Sequence, residues 1–197
     1  MIATVLDFGV GNVHSLTRGL LSLGLSIEVT DNPREALASE LLVLPGVGAF
    51  SAAARQLAPV REELRAALAD GLPCLAICLG MQLLFHGSEE GQGKGIGLIG
   101  GCSTRLTGDR VPHMGWNTVA TASPLLSDSQ PMYFAHSYAC RPNDPSAVGG
   151  WTDCDGDRFP ALVQTARTTG VQFHPEKSGE AGRAFLRTWI KEVERCA

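Results

Sequence analysis

The stretch Leu72-Pro-Cys-Leu-Ala-Ile-Cys78-Leu-Gly-Met-Gln82-Leu-Leu-Phe85 constrains this chain more than any other. Residues 72–77 form a short apolar run, set off by Asp70-Gly71, with the length of a buried strand. Cys78 and Gly80 interrupt it, and residues 81–85 resume as the start of a helix. A side chain on so tight a strand-to-helix corner is pushed out past the sheet edge, and the corner closes only if its neighbours are small, as Ala76 and Gly80 are. The helix amino terminus behind it favours thiolate, the reactive form of cysteine. The competing explanation is a buried structural cysteine, and the stretch by itself leaves both open.

The chain before this corner alternates. Residues 2–8 are β-rich and lead into the turn residues Gly9-Val-Gly11-Asn12. A helical pattern over 13–23 places Leu16, Leu20 and Leu23 on one face and stops at Gly24. Residues 25–30 predict a second strand, and Asp31-Asn32-Pro33 a cap and N1 proline for a short helix. Residues 41–44 predict a third buried strand running into Pro45-Gly46-Val47-Gly48, a loop whose N–H groups can face a ligand or simply turn the chain. Residues 51–69 predict a helix broken at Pro59. Asp7-Phe-Gly-Val-Gly-Asn12 superficially resembles a dinucleotide fingerprint, but the third glycine is missing and no acidic residue falls clearly at the end of a following strand, which makes that the weaker reading. Strand–helix alternation of this kind predicts a mostly parallel, doubly wound sheet with helices on both faces. Ligands bind such sheets beyond the carboxyl ends of the strands, which puts the Gly46 loop and Cys78 on one edge.

After Phe85 the texture changes. Residues 86–101 predict a long, glycine-rich surface connection bordering that edge. Residues 102–106, 116–121, 131–140, 147–151 and 161–164 predict an antiparallel β extension. One more strand over 170–173 ends in His174-Pro175-Glu176-Lys177, and a helix from Gly179 with Phe185, Leu186, Trp189, Ile190 and Val193 on its apolar stripe closes the chain.

Composition restricts the classes. The 197 residues fit one domain over 1–197. A net charge of −4 with no basic face argues against nucleic acid. The six cysteines (74, 78, 102, 140, 154, 196) show neither metal spacing nor a disulfide framework, no span is long and apolar enough for a membrane, and no signal peptide opens the chain. A reducing cytoplasm is the expected compartment.

A cysteine nucleophile needs a base, and the base an orienting group. His14 and His86 read as surface residues; His113 and His136 as core or interface histidines. His174 stands at a strand end with Glu176 two residues on. In an extended segment these two share a side, so the carboxylate can hold the imidazole.

Leu44-Pro-Gly-Val-Gly48, Cys78-Leu-Gly-Met-Gln82 and Gln172-Phe-His-Pro-Glu176 resemble the three signatures of class I (triad) glutamine amidotransferases. Asp7-Phe-Gly-Val-Gly-Asn12, Pro112-His-Met-Gly-Trp-Asn117, Tyr133-Phe-Ala-His-Ser-Tyr138 and Phe173-His-Pro-Glu-Lys-Ser178 narrow the resemblance to the glutaminase-subunit family of imidazole glycerol phosphate synthase, of histidine biosynthesis. The likeness spans essentially the whole chain, with one departure: Ala76 stands where the family usually has glycine.

The resemblance implies a catalytic triad of Cys78, His174 and Glu176, and an oxyanion hole at Val47, Gly48 and Leu79. It implies a glutamine pocket of Gly48, Gln82, Glu90, His136, Ser137 and Tyr138, and no metal or cofactor. A (β/α)₈ cyclase partner would receive ammonia in a heterodimer, and Asn12, Trp116, Asn117 and Lys177 are the candidates for its docking face by their expected place near the same sheet edge. A misoriented Val47 peptide would keep the subunit silent until that partner binds. Another triad amidotransferase or related cysteine hydrolase, and a non-catalytic docking module, are the alternatives.

Overall fold

The computed structural model describes residues 1–9 and 13–195. Val10, Gly11, Asn12, Cys196 and Ala197 lie outside the described residues, and with them the docking expectation for Asn12. The first half alternates as its sequence predicts: β1 (Ile2–Leu6), α1 (Val13–Leu21), β2 (Ser26–Thr30), α2 (Pro33–Ala36), β3 (Leu41–Leu44), α3 (Phe50–Leu57), α4 (Arg61–Ala69), β4 (Cys74–Ile77) and α5 (Leu79–Leu83). Asn32 caps α2 by accepting from Arg34 N at 3.1 Å. The helical run after the Gly48 loop breaks where expected: Ala58–Val60 is a 3₁₀ turn around Pro59, which has no N–H to continue the ladder.

The second half contains β5 (Gly101–Arg105), β6 (His113–Thr121), β7 (Gln130–His136), β8 (Tyr138–Pro142), β9 (Val148–Cys154), β10 (Asp157–Thr165), β11 (Thr168–Val171) and the closing α6 (Gly179–Arg195). Nine strands form one sheet in the order β2-β1-β3-β4-β11-β10-β9-β6-β7. From β2 to β11 all pairings are parallel, and from β11 to β7 all are antiparallel. Two expectations are corrected. The run 131–140 is two strands parted at Ser137, because β7 pairs with β6 while β8 pairs with β5 in a separate ribbon. The 86–101 connection is no mere surface loop: Ile96 and Ile99 are buried, and Ile96 N and Ile99 N donate to Leu83 O and Leu84 O.

β3 and β4 are buried at every residue, which explains their unbroken apolar runs. Their alternate side chains feed two cores. Leu42, Leu44, Cys74 and Ala76 pack with α3, α4 and α5; Leu41, Val43, Leu75 and Ile77 pack with α1 and α6. The α6 stripe Phe185, Leu186, Trp189, Ile190 and Val193 is buried throughout, each large side chain contributing about 1.5–3 kcal/mol relative to exposure. Among the described residues no helix is long and apolar enough to cross a membrane.

Register aligns the functional end of the sheet. Leu44 stands opposite Ala76, and Val171 opposite Ile77. The chain segments leaving β3, β4 and β11 therefore emerge side by side at one rim.

Candidate active site

Cys78 occupies the corner between β4 and α5 with φ 46° and ψ −100°, a left-handed conformation that costs a non-glycine residue about 1–3 kcal/mol. The surroundings hold it there: Cys78 N donates to Val171 O at 2.7 Å, and Gln82 N to Cys78 O at 3.1 Å. The corner closes because Gly80 lacks a side chain; a Cβ there would lie 2.3 Å from Leu44 O. Ala76, the departure from the family pattern, is an ordinary buried strand residue. Its register neighbour Gly170 is the position with no room, since a Cβ there would meet Val163 Cγ2 at 2.8 Å and Met81 Cγ at 3.1 Å. Within residues 76–80, Cys78 is the one with a left-handed backbone.

His174 is buried, and its Nδ1 lies 2.8 Å from Glu176 Oε1. The segment is not extended as expected. Pro175–Lys177 is a 3₁₀ turn capped by His174, and that turn folds the carboxylate back onto the ring. The backbone is pinned as well: His174 N donates to Tyr133 O at 2.8 Å, and the Ser178 hydroxyl donates to His174 O at 2.7 Å. Burial alone would lower the His174 pKa, but the hydrogen bonds and charges of Cys78 and Glu176 outweigh it and push the imidazole up to about 10. A sulfur, an imidazole and a carboxylate from β4 and the segment after β11 thus form one connected group.

The Pro45–Gly48 loop lies directly on this pair. A Cβ on Gly46 would stand 2.9 Å from both Cys78 Cβ and His174 Cε1. Gly48 has φ 121°, a conformation open to glycine, and Leu79 N lies in the first turn of α5, where amides have no intrahelical acceptor. Beyond the sulfur opens a cavity of about 380 Å³ lined by Val47, Gly48, Leu79, Gln82, Glu90, His136, Ser137, Tyr138 and Lys177 along with Cys78 and His174. Its size suits a small polar ligand. Every residue expected in the glutamine pocket lines it. Gln82 Nε2 donates to Tyr138 O at 3.0 Å, and Glu90 Oε2 accepts from Phe50 N at 3.3 Å. Desolvation raises the Glu90 pKa, partly countered by that Phe50 N–H.

His14 and His86 are exposed, as expected. His113 and His136 are buried and joined, Nδ1 to Nε2, at 3.1 Å. Tyr138 O lies 3.0 Å from His136 Nδ1 and can only accept, so His136 carries its proton there and takes a hydrogen bond from His113 at Nε2. His113 Nε2 then accepts from Asn117 Nδ2 at 3.2 Å. Burial pushes His136 down to about 3 and lowers His113 too, so both rings are neutral. This chain runs from Asn117 to the cavity wall. The sequence offered no sign of it, because His113 and His136 lie on different strands.

Trp116 is 58% exposed, so its alternative role as a core residue is set aside; Met114, on the same side of β6, is 65% exposed. Lys177 is exposed at the cavity rim. Gln172, quoted within a motif but given no role, is fully buried with Nε2 3.5 Å from Cys78 Sγ. Its polarity is no signal by itself, since Thr168 and Thr169 just before it are buried too. The described cysteines are all free, and no group of three or more His, Cys, Asp or Glu among the described residues is arranged to hold a metal.

Comparison with known proteins places this geometry. The glutamine amidotransferase class-I family pattern matches residues 4–193. The chain is 44% identical over 199 residues to the imidazole glycerol phosphate synthase subunit HisH of Natronomonas pharaonis, covering 94% of this chain and 92% of the relative. Against the HisH subunit of Bifidobacterium longum it is 40% identical over 209 residues, covering 95% and 97%. Two solved structures share the fold: a glutamine amidotransferase crystal structure (TM-score 0.77, 16% identity, 98% of this chain and 100% of that one) and PurLQS from Thermotoga maritima (TM-score 0.74, 18% identity, 98% of each). The chain belongs to the class-I glutamine amidotransferases and, within them, to the HisH family of imidazole glycerol phosphate synthase subunits.

Proposed function

We propose that this chain is a cytoplasmic, single-domain glutaminase that hydrolyses L-glutamine and hands the ammonia to a cyclase partner in a heterodimer of histidine biosynthesis. The observation that carries the reading is the strained Cys78 corner facing the His174–Glu176 pair across the floor of the 380 Å³ cavity.

The thiolate of Cys78 attacks the side-chain carbonyl carbon of glutamine, and the oxyanion falls to the N–H groups of Leu79 and the Val47–Gly48 loop. One such donor is typically worth about 10²–10³ in rate. His174, already protonated because its pKa is raised, gives its proton to the departing nitrogen, leaving a thioester and ammonia. Water then attacks the thioester, His174 takes its proton, and collapse returns thiolate, imidazolium and glutamate. Glu176 holds the ring through its Nδ1. Gln82, Glu90, His136, Ser137 and Tyr138, which line the cavity, receive the amino-acid end of the substrate, and exposed Trp116, with Asn117 and the rim residue Lys177, is the docking surface for the cyclase.

Glutamate release is measured for the chain alone and with the cyclase subunit and its ribotide ligand. Cys78→Ala should abolish hydrolysis and keep partner binding; retained turnover refutes the nucleophile. A high basal rate, unchanged by the partner, refutes the silent-until-bound switch.

A further inference from the structure

We propose that the Gln172 carboxamide is part of the nucleophile: its N–H donates to Cys78 Sγ and holds the sulfur in its anionic form. The inference rests on Cys78 being the attacking group.

Gln172 is completely buried, its backbone N–H is spent on Ala161 O, and its side-chain Nε2 lies 3.5 Å from Cys78 Sγ. Its Oε1 is buried with no hydrogen-bond partner. An unpaired buried acceptor destabilises a fold, and a leucine or methionine of similar volume would remove that cost. The amide is worth its place only through the N–H. The sulfur's surroundings agree. It faces two donors, the His174 ring and the Gln172 amide at 3.5 Å, while the bond it makes as a donor itself, to Ala135 O, is longer at 4.0 Å. A hydrogen bond to a charged acceptor is stronger than one to a neutral acceptor, so this donor favours thiolate over thiol.

The other titratable groups around the sulfur are His174 and Glu176 after β11, His136 from β7 and Cys140 from β8, with Glu90 and Lys177 at the cavity rim. Replacing Gln172 leaves all of them in place, so a change in the pH profile reports the amide.

Carboxamidomethylation of the full chain by iodoacetamide is followed by mass spectrometry from acid to alkaline pH, with Cys78→Ala as the blank. In Gln172→Leu the midpoint of alkylation should rise by about one unit, tenfold in the thiol–thiolate equilibrium. With the cyclase subunit bound, kcat should fall severalfold while KM stays within about twofold, since the amide contacts sulfur and not glutamine. Thermal stability should hold or rise, because the orphaned Oε1 is gone. Gln172→Met should behave alike, and Gln172→Glu should raise the midpoint further by setting a carboxylate against the thiolate. An unmoved midpoint in the leucine and methionine variants overturns the proposal, as does loss of the folded state in both, which would make Gln172 a packing residue. If Cys78→Ala still hydrolyses glutamine, it is the nucleophile assignment that fails; if that variant is dead and Gln172→Leu matches wild type, only this proposal fails.

Discussion

Gly46→Ala tests how tightly the loop is fitted to the reacting atoms. Gly46 does not have a left-handed backbone, so alanine can adopt its conformation and the cost is contact alone. The new methyl would lie 2.9 Å from Cys78 Cβ, 2.9 Å from His174 Cε1 and 3.0 Å from Ile77 Cγ2, against about 3.5–4.0 Å for relaxed carbon contacts. It is short by about 0.6 Å on several sides at once. Neither functional neighbour can yield: Cys78 is held through Val171 O at 2.7 Å, and His174 through Tyr133 O and Glu176 at 2.8 Å each. Either the loop retreats, carrying Val47 away from the sulfur, or the gap between sulfur and imidazole widens. Overpacking of this size costs about 1–3 kcal/mol of stability. A displacement approaching 1 Å costs about 10²-fold in rate, so kcat of the partner-bound form should fall about 10- to 100-fold. Gly19→Ala on α1 is the control, since a Cβ there meets nothing within 4 Å and alanine should stabilise the helix by up to about 1 kcal/mol. A folded Gly46→Ala protein with wild-type kcat would refute the claim that this glycine sets the contact between loop and nucleophile.

Gly80→Ala should be worse for folding than for chemistry: its Cβ would lie 2.3 Å from Leu44 O in a central strand, so urea unfolding should show a loss above about 3 kcal/mol, and near-normal stability would contradict the close approach. Stability should peak near pH 6.5. His174, raised from 6.5 to about 10, contributes fully below pH 6.5, progressively less above it, and nothing once pH passes about 10; His136, pushed from 6.5 to about 3, becomes a growing penalty as pH falls below 6.5. Urea midpoints across a pH series should show both arms, and His136→Gln should flatten the acid one; a midpoint climbing from neutral into alkaline pH would speak against the His174 pairing. Trp116→Ala should weaken cyclase binding by about 2 kcal/mol or more by calorimetry while leaving thermal stability unchanged, because the side chain is exposed in the isolated chain; undiminished affinity would move the docking face elsewhere.

The first half of the fold was legible because its inner strands β3 and β4 are buried at every residue and read as unbroken apolar runs bounded by turn residues, with Asn32-Pro33 and Pro59 punctuating the helices. The second half was legible only as strand content. Nothing in residues 131–140 marks Ser137 as the point where the chain leaves one sheet for another, since both sides of the break are equally β-prone and the division follows from pairing with β5 and β6. The Pro175 turn was misread for a similar reason: proline fixes its own φ near −65°, a value shared by extended and 3₁₀ backbone. Only the continuation into α6 decides between them.

The site follows the same logic. Cys78 announces itself through its corner, and His174 and Glu176 through their spacing, because each signal is local to a few residues. The partners that tune them come from elements far apart in the chain. Gln172 reaches the sulfur only because β11, the last strand in sequence, inserts beside β4 in the middle of the sheet. Its polarity could not single it out: Thr168 and Thr169 lie in β11 just before it and are also buried. What separates them from Gln172 is position, since Thr168 and Thr169 stand opposite Cys74 and Leu75 in mid-strand, whereas Gln172 follows Val171, the partner of Ile77, and so comes level with the nucleophile itself. A register is therefore the least information that turns a buried glutamine into a candidate donor to the nucleophile.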